Sequence, residues 1–246
     1  MAPKLNIANS LFAGLNDKRG ILICGYEWGF SKEDQRLYVD GYEPVFDPNA
    51  VTIFSNKVPS YGERALAWRY DKRIIKWFGL WGHPLSGHGL GGEFEKCLVQ
   101  TNWCNTQGHS IAGNYCQRLS QAEQVENFLF HAQILDPSLI IFMGSAIIDV
   151  LQAREVMEGF VKTAGKQIAP LRKVQKEFVG RRFKIGFQTF ERCEVVCLPH
   201  PSSSRGLSDD YMLLFKQEIG ELISTVKAEK GVGKPNPAIL GDPATG

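Results

Sequence analysis

Three polar side chains suited to acid–base chemistry each follow a short apolar run of the chain. Glu27 comes shortly after "GILICG", Asn102 follows "KCLVQT", and His200 follows "EVVCLP". A carboxylate and an imidazole can act as acid and base, and an amide can donate and accept hydrogen bonds at once. The three residues therefore predict a site that binds a polar group and carries out proton transfer beside it.

The apolar runs themselves are typical of parallel β-strands that are buried on both faces. Four such runs lie at residues 20–25, 96–101, 139–144 and 194–199, and segments with helical spacing of apolar residues lie between them. This alternation predicts an α/β fold with three α/β/α layers around a central four-stranded, mainly parallel sheet. Ligands of such sheets bind beyond the carboxyl ends of the strands, so the three polar residues are expected to converge at one rim.

Length and composition indicate a single globular domain. The chain has 246 residues, of which 43% are hydrophobic and 22% charged. We expect the domain to cover residues 1–228 and the Gly- and Pro-rich residues 229–246 to form a disordered tail. No apolar run has the length of a membrane span, and the N-terminus lacks a signal-peptide pattern. These features predict a monomer located in the cytoplasm, or in the nucleus of a eukaryote, with no membrane partner.

Basic residues are concentrated in one segment, although the net charge of the chain is only +2. Between residues 162 and 184 the single acid is Glu177, and the bases are Lys162, Lys166, Arg172, Lys173, Lys176, Arg181, Arg182 and Lys184. Two interpretations of this segment remain open. It is either a solvated face or a surface that contacts phosphates.

The six cysteines do not indicate a metal site. None forms a C-x-x-C pair, and an intracellular chain keeps its thiols reduced. We expect most of them to be small core residues, and we expect no zinc ion, iron–sulfur cluster or organic cofactor.

The motifs, in this order, resemble those of the uracil-DNA glycosylase superfamily. "GYEWGF" resembles its glycine-rich first motif, "CLVQTNWCN" the second motif of the single-strand-selective branch, and "LPHPSSSRGL" the late His-Pro-Ser motif. "ENFLFHAQILDPSLIIFMGSAI" is similar to a helix and strand of the thermophilic bacterial branch, and "VTIFSN" to the segment with the base-stacking aromatic. The resemblance covers roughly residues 20–215.

The resemblance implies a monofunctional DNA glycosylase of base excision repair. Such an enzyme flips out a uracil or a related deaminated or damaged base and hydrolyses the N-glycosidic bond. His200 would stabilise the negative charge on the departing base. Glu27 would position the attacking water, and Asn102 would read the edge of the base.

Further base-binding roles follow from the same resemblance. Phe54 would stack on the flipped base, unless it is a core residue, and Gly25 would line the base pocket. Gly29 stands where the most uracil-specific branch has a tyrosine, which implies a roomier pocket. The sequence departs from the family at Glu27, where the family has Asp or Asn, and at Trp28, where it has proline.

The implied partner is single- or double-stranded DNA. Arg205 or Leu207 would fill the gap that the flipped base leaves in the stack. The remaining residues expected to contact DNA are Ser202, Ser203, Lys173, Arg181 and Arg182.

Two other functions stay open at this stage. One is a nucleic-acid-binding protein that has the glycosylase fold but weak or no activity, which the unusual Glu27 and Trp28 would explain. The other is an unrelated α/β enzyme that acts on a free nucleoside or nucleotide, with Glu27 and His200 as acid and base.

Overall fold

The computed structural model describes residues 4–7, 10–29, 36, 39–41, 49–86, 88–108 and 115–233. Each of the four predicted strands is present within these residues. Their bounds are Ile21–Gly25 (β1), Leu98–Asn102 (β3), Leu139–Met143 (β5) and Glu194–Leu198 (β8). The four strands are mutually parallel and lie in the order β3–β1–β5–β8.

The central sheet has six strands in the described part of the chain, so the predicted count of four is wrong. The two further strands are Gln167–Val174 (β6) and Ile185–Phe190 (β7), which continue the sheet beyond β8 in antiparallel pairing. β6 was missed because it is a polar, largely exposed edge strand with Pro170 inside it and two irregularities in its register. Proline and bulges are typical of edge strands, and neither gives a continuous apolar run.

A small second sheet lies immediately beyond the ends of β1 and β3. It pairs Trp28–Gly29 (β2) with Gln107–Gly108 (β4) in parallel. This pair covers the rim on the side where Glu27 leaves β1.

Helices cover both faces of the central sheet. In chain order, those with bounds in the described residues are Val58–Tyr61 (α1), Arg69–Leu80 (α2), Glu93–Lys96 (α3), Tyr115–Leu119 (α4), Ala122–Leu135 (α5), Ser145–Leu151 (α6), Arg154–Ala164 (α7), Asp209–Leu213 (α8) and Lys216–Glu229 (α9), and a 3₁₀ helix spans Glu63–Ala67.

Alternate residues of each strand enter two separate cores. Leu22 of β1 packs in a cluster with Phe128 of α5 and Phe160 of α7, whereas its neighbour Ile23 packs in a cluster with Trp77 of α2. All of these side chains are buried, and each contributes about 1.5–3 kcal/mol through burial of its apolar surface. The layers therefore agree with the predicted α/β/α arrangement.

Two further sequence expectations concern membrane spans and the C-terminal tail. No helix of the described segments is long and apolar enough to cross a membrane. α9 ends at Glu229 and a turn continues to Gly233, so only the first residues of the predicted tail are described. The remainder of that tail, residues 234–246, lies outside the described residues.

Candidate functional site

The parallel strands bring Glu27, Asn102 and His200 to one rim of the sheet. Asn102, the last residue of β3, pairs with Gly25, the last residue of β1. Glu27 follows two residues after the end of β1, and His200 two residues after the end of β8. The positions agree with the sequence expectation, and the contacts of each side chain decide what it can do there.

Tyr26 connects the end of β1 with the His200 loop by crossing the end of β5. The residue after β5 is Gly144, where an added Cβ would lie 2.2 Å from the Cζ atom of Tyr26, so the glycine leaves room for the ring. The Tyr26 hydroxyl accepts a hydrogen bond of 3.1 Å from the backbone N–H of Ala146. The ring then stacks on the His200 imidazole, with centroids 5.7 Å apart and planes 4° apart.

The hydrogen bonds of His200 define its tautomer. Nδ1 accepts from the backbone N–H groups of Ser202 and Ser203, at 3.3 and 3.2 Å. Because an N–H group can only donate, Nδ1 carries no proton and the neutral ring has its hydrogen at Nε2. Burial lowers the pKa of His200 from its usual 6.5 to about 4, so the ring is neutral near pH 7. No acceptor among the described residues takes the Nε2–H group, which is therefore available to a ligand.

Asn102 is held in place by its neighbours on both sides. Its side chain is buried against Gly25, where an added Cβ would lie 2.4 Å from Oδ1 of Asn102. Nδ2 of Asn127 donates hydrogen bonds to the carbonyl oxygens of Asn102 and Trp103, at 3.2 and 2.8 Å. Gly25 is thus required for the close packing of the Asn102 amide.

Tyr70 of α2 adds a hydroxyl that the sequence did not indicate. Its ring centroid is 5.4 Å from that of His200, and its Oη atom would lie 3.1 Å from a Cβ at Gly25. Oη is buried without a hydrogen-bond partner among the described residues. Burial raises the pKa of Tyr70 well above its usual 10, so the hydroxyl keeps its proton and can donate it to an acceptor. A buried, unpaired hydroxyl costs about 1–3 kcal/mol, which a bound acceptor would offset.

Glu27 forms an ion pair at the rim. Its Oε2 atom lies 3.0 Å from Nη2 of Arg118 and accepts a hydrogen bond of 3.2 Å from Oγ1 of Thr106. The side chain is 4% exposed, and Gly108 leaves the space for it, because an added Cβ there would lie 2.3 Å from Oε1. Oε1 is buried without a donor in the described part of the chain. One carboxylate oxygen is therefore fixed, and the other can still accept a hydrogen bond.

Phe54 and Gly29, two of the residues expected to bind the base, differ in their exposure. Phe54 is 2% exposed, and the ammonium group of Lys57 lies 5.1 Å from the centroid of its ring, so Phe54 is a core residue in this arrangement. The expectation that it offers a face to a base is not met. Gly29 lies at the exposed end of β2, and an added Cβ would meet no atom within 4 Å. The aromatic rings that lie beside His200 are instead those of Tyr26 and Tyr70.

The loop after His200 is held by Arg73 of α2. Its guanidinium donates to the carbonyl oxygens of Pro201, at 2.8 Å, and Leu207, and it pairs with Asp209 at 3.2 Å. Leu207 itself is 6% exposed and packs in the core, so the alternative in which its side chain enters DNA is wrong for this conformation. Arg205 is the exposed member of that pair of candidates.

Among the predicted DNA-contacting cations, Arg181 lies against the His200 loop. Its Nη1 atom donates a hydrogen bond of 2.9 Å to the carbonyl oxygen of Arg205. Ser202 and Ser203 are exposed on the same loop, with their N–H groups directed to His200. The basic segment and the His200 loop are therefore neighbours in space, which the sequence left open.

Lys173 and Arg182 make surface ion pairs. Lys173 lies 2.5 Å from Asp149, and Arg182 binds both carboxylate oxygens of Glu177 at 2.7 and 2.8 Å. Such exposed pairs contribute little to stability, about 0–1 kcal/mol, and a phosphate can compete for either cation. Both interpretations of the segment therefore stay open.

Two concave surfaces stand out in the described structure. A cleft of about 290 Å³ lies between the rim end of the β6–β7 pair and the His200 loop, and its polar lining includes Lys173, Lys184, Ser145 and Ser204. A groove of about 730 Å³ lies between α5 and α7, and none of the predicted site residues lines it. The smaller cleft is the one that adjoins the candidate site.

The six cysteines are all free, and five of them are buried, as expected for core residues. No three His, Cys, Asp or Glu side chains in the described segments lie close enough together to hold a metal ion. No protein-family model and no curated protein matches this sequence. The fold and contacts alone therefore define the class: an α/β protein with a neutral imidazole, an amide and a phenol at the carboxyl rim of a parallel sheet.

Sequence reasoning missed four residues that shape this site. Tyr26 lies inside the quoted "GYEWGF" motif, and its position between a strand end and Glu27 was a usable signal. Tyr70 was interpreted as one of the apolar residues of a helix, because the spacing of residues along α2 does not show which hydroxyl lies at a site. Arg73 and Arg118 carried no signal, because their partners are distant in sequence.

Proposed function

We propose that the chain is a monofunctional DNA glycosylase, which flips out a uracil or a related deaminated or damaged base and hydrolyses its N-glycosidic bond. The observation that carries the proposal is the neutral His200 ring, whose Nε2–H donor has no acceptor among the described residues. A uracil that leaves its sugar takes the bonding electron pair with it, and the charge spreads to its carbonyl oxygens. A buried neutral donor stabilises that charge in the transition state.

The groups beside His200 suit a pyrimidine-like ring with alternating donors and acceptors. The Asn102 amide can donate and accept, and the Tyr70 hydroxyl, which has no partner within the described segments, can donate to a carbonyl oxygen. The Tyr26 ring stacks on one face of the His200 imidazole. We assign recognition of the base edge to Asn102 and Tyr70, and the positioning of His200 to Tyr26.

Glu27 is assigned to the water and the sugar. Arg118 and Thr106 hold Oε2, and Oε1 is left as a buried acceptor for one O–H group of the attacking water. The water oxygen forms a bond to C1′ of the sugar while the C1′–N bond breaks and its electron pair leaves with the base. The water proton passes to the Glu27 carboxylate, which then releases it to solvent, and the base anion takes up a proton from solvent. The products are a free base and an abasic site.

The catalytically weak or inactive nucleic-acid-binding protein remains the second candidate, and one observation favours it. The Glu27 carboxylate is 4% exposed and is bound to Arg118, which limits its movement toward a substrate. A displacement of about 1 Å at a catalytic group can reduce a rate about a hundredfold.

Excision assays separate these candidates. Fluorescent oligonucleotides carrying uracil, hypoxanthine, xanthine or 5-hydroxymethyluracil are tested as single strands and as mismatched duplexes, and alkali reveals abasic product. We expect His200→Ala to reduce excision by about a hundredfold to a thousandfold and Glu27→Gln by about a hundredfold. His88→Ala, at an exposed loop position, and Glu158→Gln, on α7, serve as matched controls and should leave the rate unchanged.

The outcomes assign the function. Product that both site variants reduce supports the glycosylase and identifies its base. Absence of product on every lesion, with DNA binding retained, supports the binding protein. Activity on free nucleosides without DNA binding would overturn both in favour of a nucleoside enzyme.

A further inference from the structure

The loop that joins β6 to β7, residues 175–184, lies at the same rim as His200. β8 runs toward that rim, and β7 runs back from it because the two strands are antiparallel. Val174, at the end of β6, pairs with Ile185, at the start of β7, and Gly186 pairs with Cys197 near the rim end of β8. The sheet topology therefore requires this loop to emerge beside the loop that carries His200.

The base of the loop is anchored, and its tip is exposed. Phe178 and Phe183 are half-buried and contact the buried ring of Tyr211, with centroids 5.4 and 6.2 Å away. The Tyr211 hydroxyl donates to the carbonyl oxygen of Phe183 and lies 3.3 Å from the backbone N–H of Lys176. Residues 179–182 are the exposed part that projects beyond this anchor.

The tip is joined to the His200 loop. Arg181 donates to the carbonyl oxygen of Arg205, and an added Cβ at Gly206 would lie 3.1 Å from the Arg181 side chain. Gly206 has a φ of 81°, a conformation that glycine adopts without strain. Any DNA that reaches His200 therefore also passes close to the tip.

Val179 is the apolar side chain that this tip presents. It is fully exposed, at 106%, whereas Leu207 of the His200 loop is 6% exposed. A single exposed apolar residue is ordinary on a protein surface. Here it stands between an aromatic anchor and the cations Arg181 and Arg182, at the rim where a nucleotide would be extruded. Proteins that kink DNA insert apolar side chains between base steps and place basic side chains in the adjacent groove.

We infer that the β6–β7 loop is a DNA-inserting element: Val179 enters the duplex beside the extruded nucleotide, and Arg181 and Arg182 bind the flanking phosphates. This inference rests on the proposed function in that it takes DNA as the substrate. The inference assigns the stack-filling role to the β6–β7 loop and not to the His200 loop that the sequence suggested. The reason is that the Leu207 side chain is buried in the core.

The wedge is tested by comparing duplex with single-stranded DNA. A uracil duplex, with 2-aminopurine next to the uracil to report unstacking, and the corresponding single strand are given to wild type, Val179→Ala and Val179→Ser. We expect both variants to reduce duplex kcat/KM and the 2-aminopurine signal about tenfold, the equivalent of one buried valine side chain, and to leave single-strand kcat/KM within about twofold. Ile168→Ala, at an exposed apolar position of β6, is the matched control and should leave kcat/KM unchanged on both substrates.

The phosphate contacts are tested separately by salt dependence. Arg181→Gln and Arg182→Gln should each reduce the slope of log affinity against log salt for duplex DNA by about one. Arg154→Gln on α7 is the control. Unchanged slopes for both loop variants would exclude the phosphate role.

The wedge and the proposed function can fail independently. Affinity for a duplex with a tetrahydrofuran abasic analogue is measured on the same variants and requires no chemistry. If wild type excises no base but the Val179 variants weaken duplex binding selectively, the glycosylase proposal fails and the wedge stands. If wild type excises uracil and the Val179 variants act normally on duplex, or lose duplex and single-strand activity equally, the wedge is wrong and the glycosylase proposal stands. Melting temperatures check that the exposed substitutions leave the fold intact.

Discussion

The rings of Tyr26 and His200 lie parallel to within 4°, with their centroids 5.7 Å apart. The two residues belong to loops that follow strands separated by β5, and Tyr26 reaches His200 because Gly144 has no side chain. The stack buries the imidazole on one side, and the two backbone N–H groups at Nδ1 hold it on another. The orientation of the candidate catalytic histidine is therefore set by a tyrosine, a glycine and a tight turn together.

Gly144→Ala should disrupt this stack. The new methyl group would lie 2.2 Å from the Tyr26 ring, so the ring must move away from His200, at a cost of about 1–3 kcal/mol in stability. We expect excision to fall about tenfold to a hundredfold. Gly79→Ala is the control, because an added Cβ at this exposed position of α2 meets no atom within 4 Å and alanine favours a helix. Equal activity of the two variants would show that the stack does not position His200.

The acid titration of His200 follows from its burial. Its pKa of about 4 lies below the usual 6.5, so the unfolded chain binds the proton more readily between these pH values. The free energy of unfolding should therefore fall as the pH is lowered from about 6.5 toward 4, with no further contribution from this group below that range. Urea unfolding at several pH values measures the effect, and His200→Asn should make the pH dependence shallower. An imidazole NMR titration with a midpoint near 6.5 would contradict the assignment.

Tyr70→Phe should separate stability from activity. The substitution removes a buried hydroxyl that has no partner among the described residues, so the free energy of unfolding should stay constant or rise by about 1–3 kcal/mol. Excision should nevertheless fall, because a donor to the base is lost. Tyr211→Phe provides the contrast: its hydroxyl donates to the carbonyl oxygen of Phe183, and its removal should destabilise the protein. Thermal melts and kcat/KM on a single-stranded substrate give both readouts, and unchanged activity of Tyr70→Phe would remove this residue from the site.

Glu27 and Arg118 should be energetically coupled. Arg118→Met leaves a carboxylate that is 4% exposed without its cation and should reduce the free energy of unfolding by about 1.5–3 kcal/mol. Glu27→Gln combined with Arg118→Met should recover part of that loss, since no charge is then left unpaired. Chemical denaturation of the four proteins in the cycle measures the coupling, and strictly additive effects would mean that the pair does not persist in solution.

The difference between predicted and missed elements has a physical cause. β1, β3, β5 and β8 are buried on both faces, so each is a short apolar run that can be recognised without knowing its neighbours. β6 is an edge strand with exposed polar residues and Pro170, and it pairs only because β7 is already present. β7 is buried and lies inside the sheet, but Gly186, Gln188 and Thr189 interrupt its apolar residues, so it does not form a continuous run. Local pattern therefore identified the four parallel strands and missed the two antiparallel ones.

The sequence by itself determined the parallel sheet and the placement of Glu27, Asn102 and His200 at its carboxyl rim, because strand ends and the residues after them are local features. Only the tertiary structure decided what those side chains contact. In the folded chain Leu207 and Phe54 are buried, and Val179 is exposed at the rim. Tyr70 and Tyr26 lie against His200. Glu27 pairs with Arg118. Burial, pKa and hydrogen-bond partner are set by residues far apart in the chain, and no local pattern contains them.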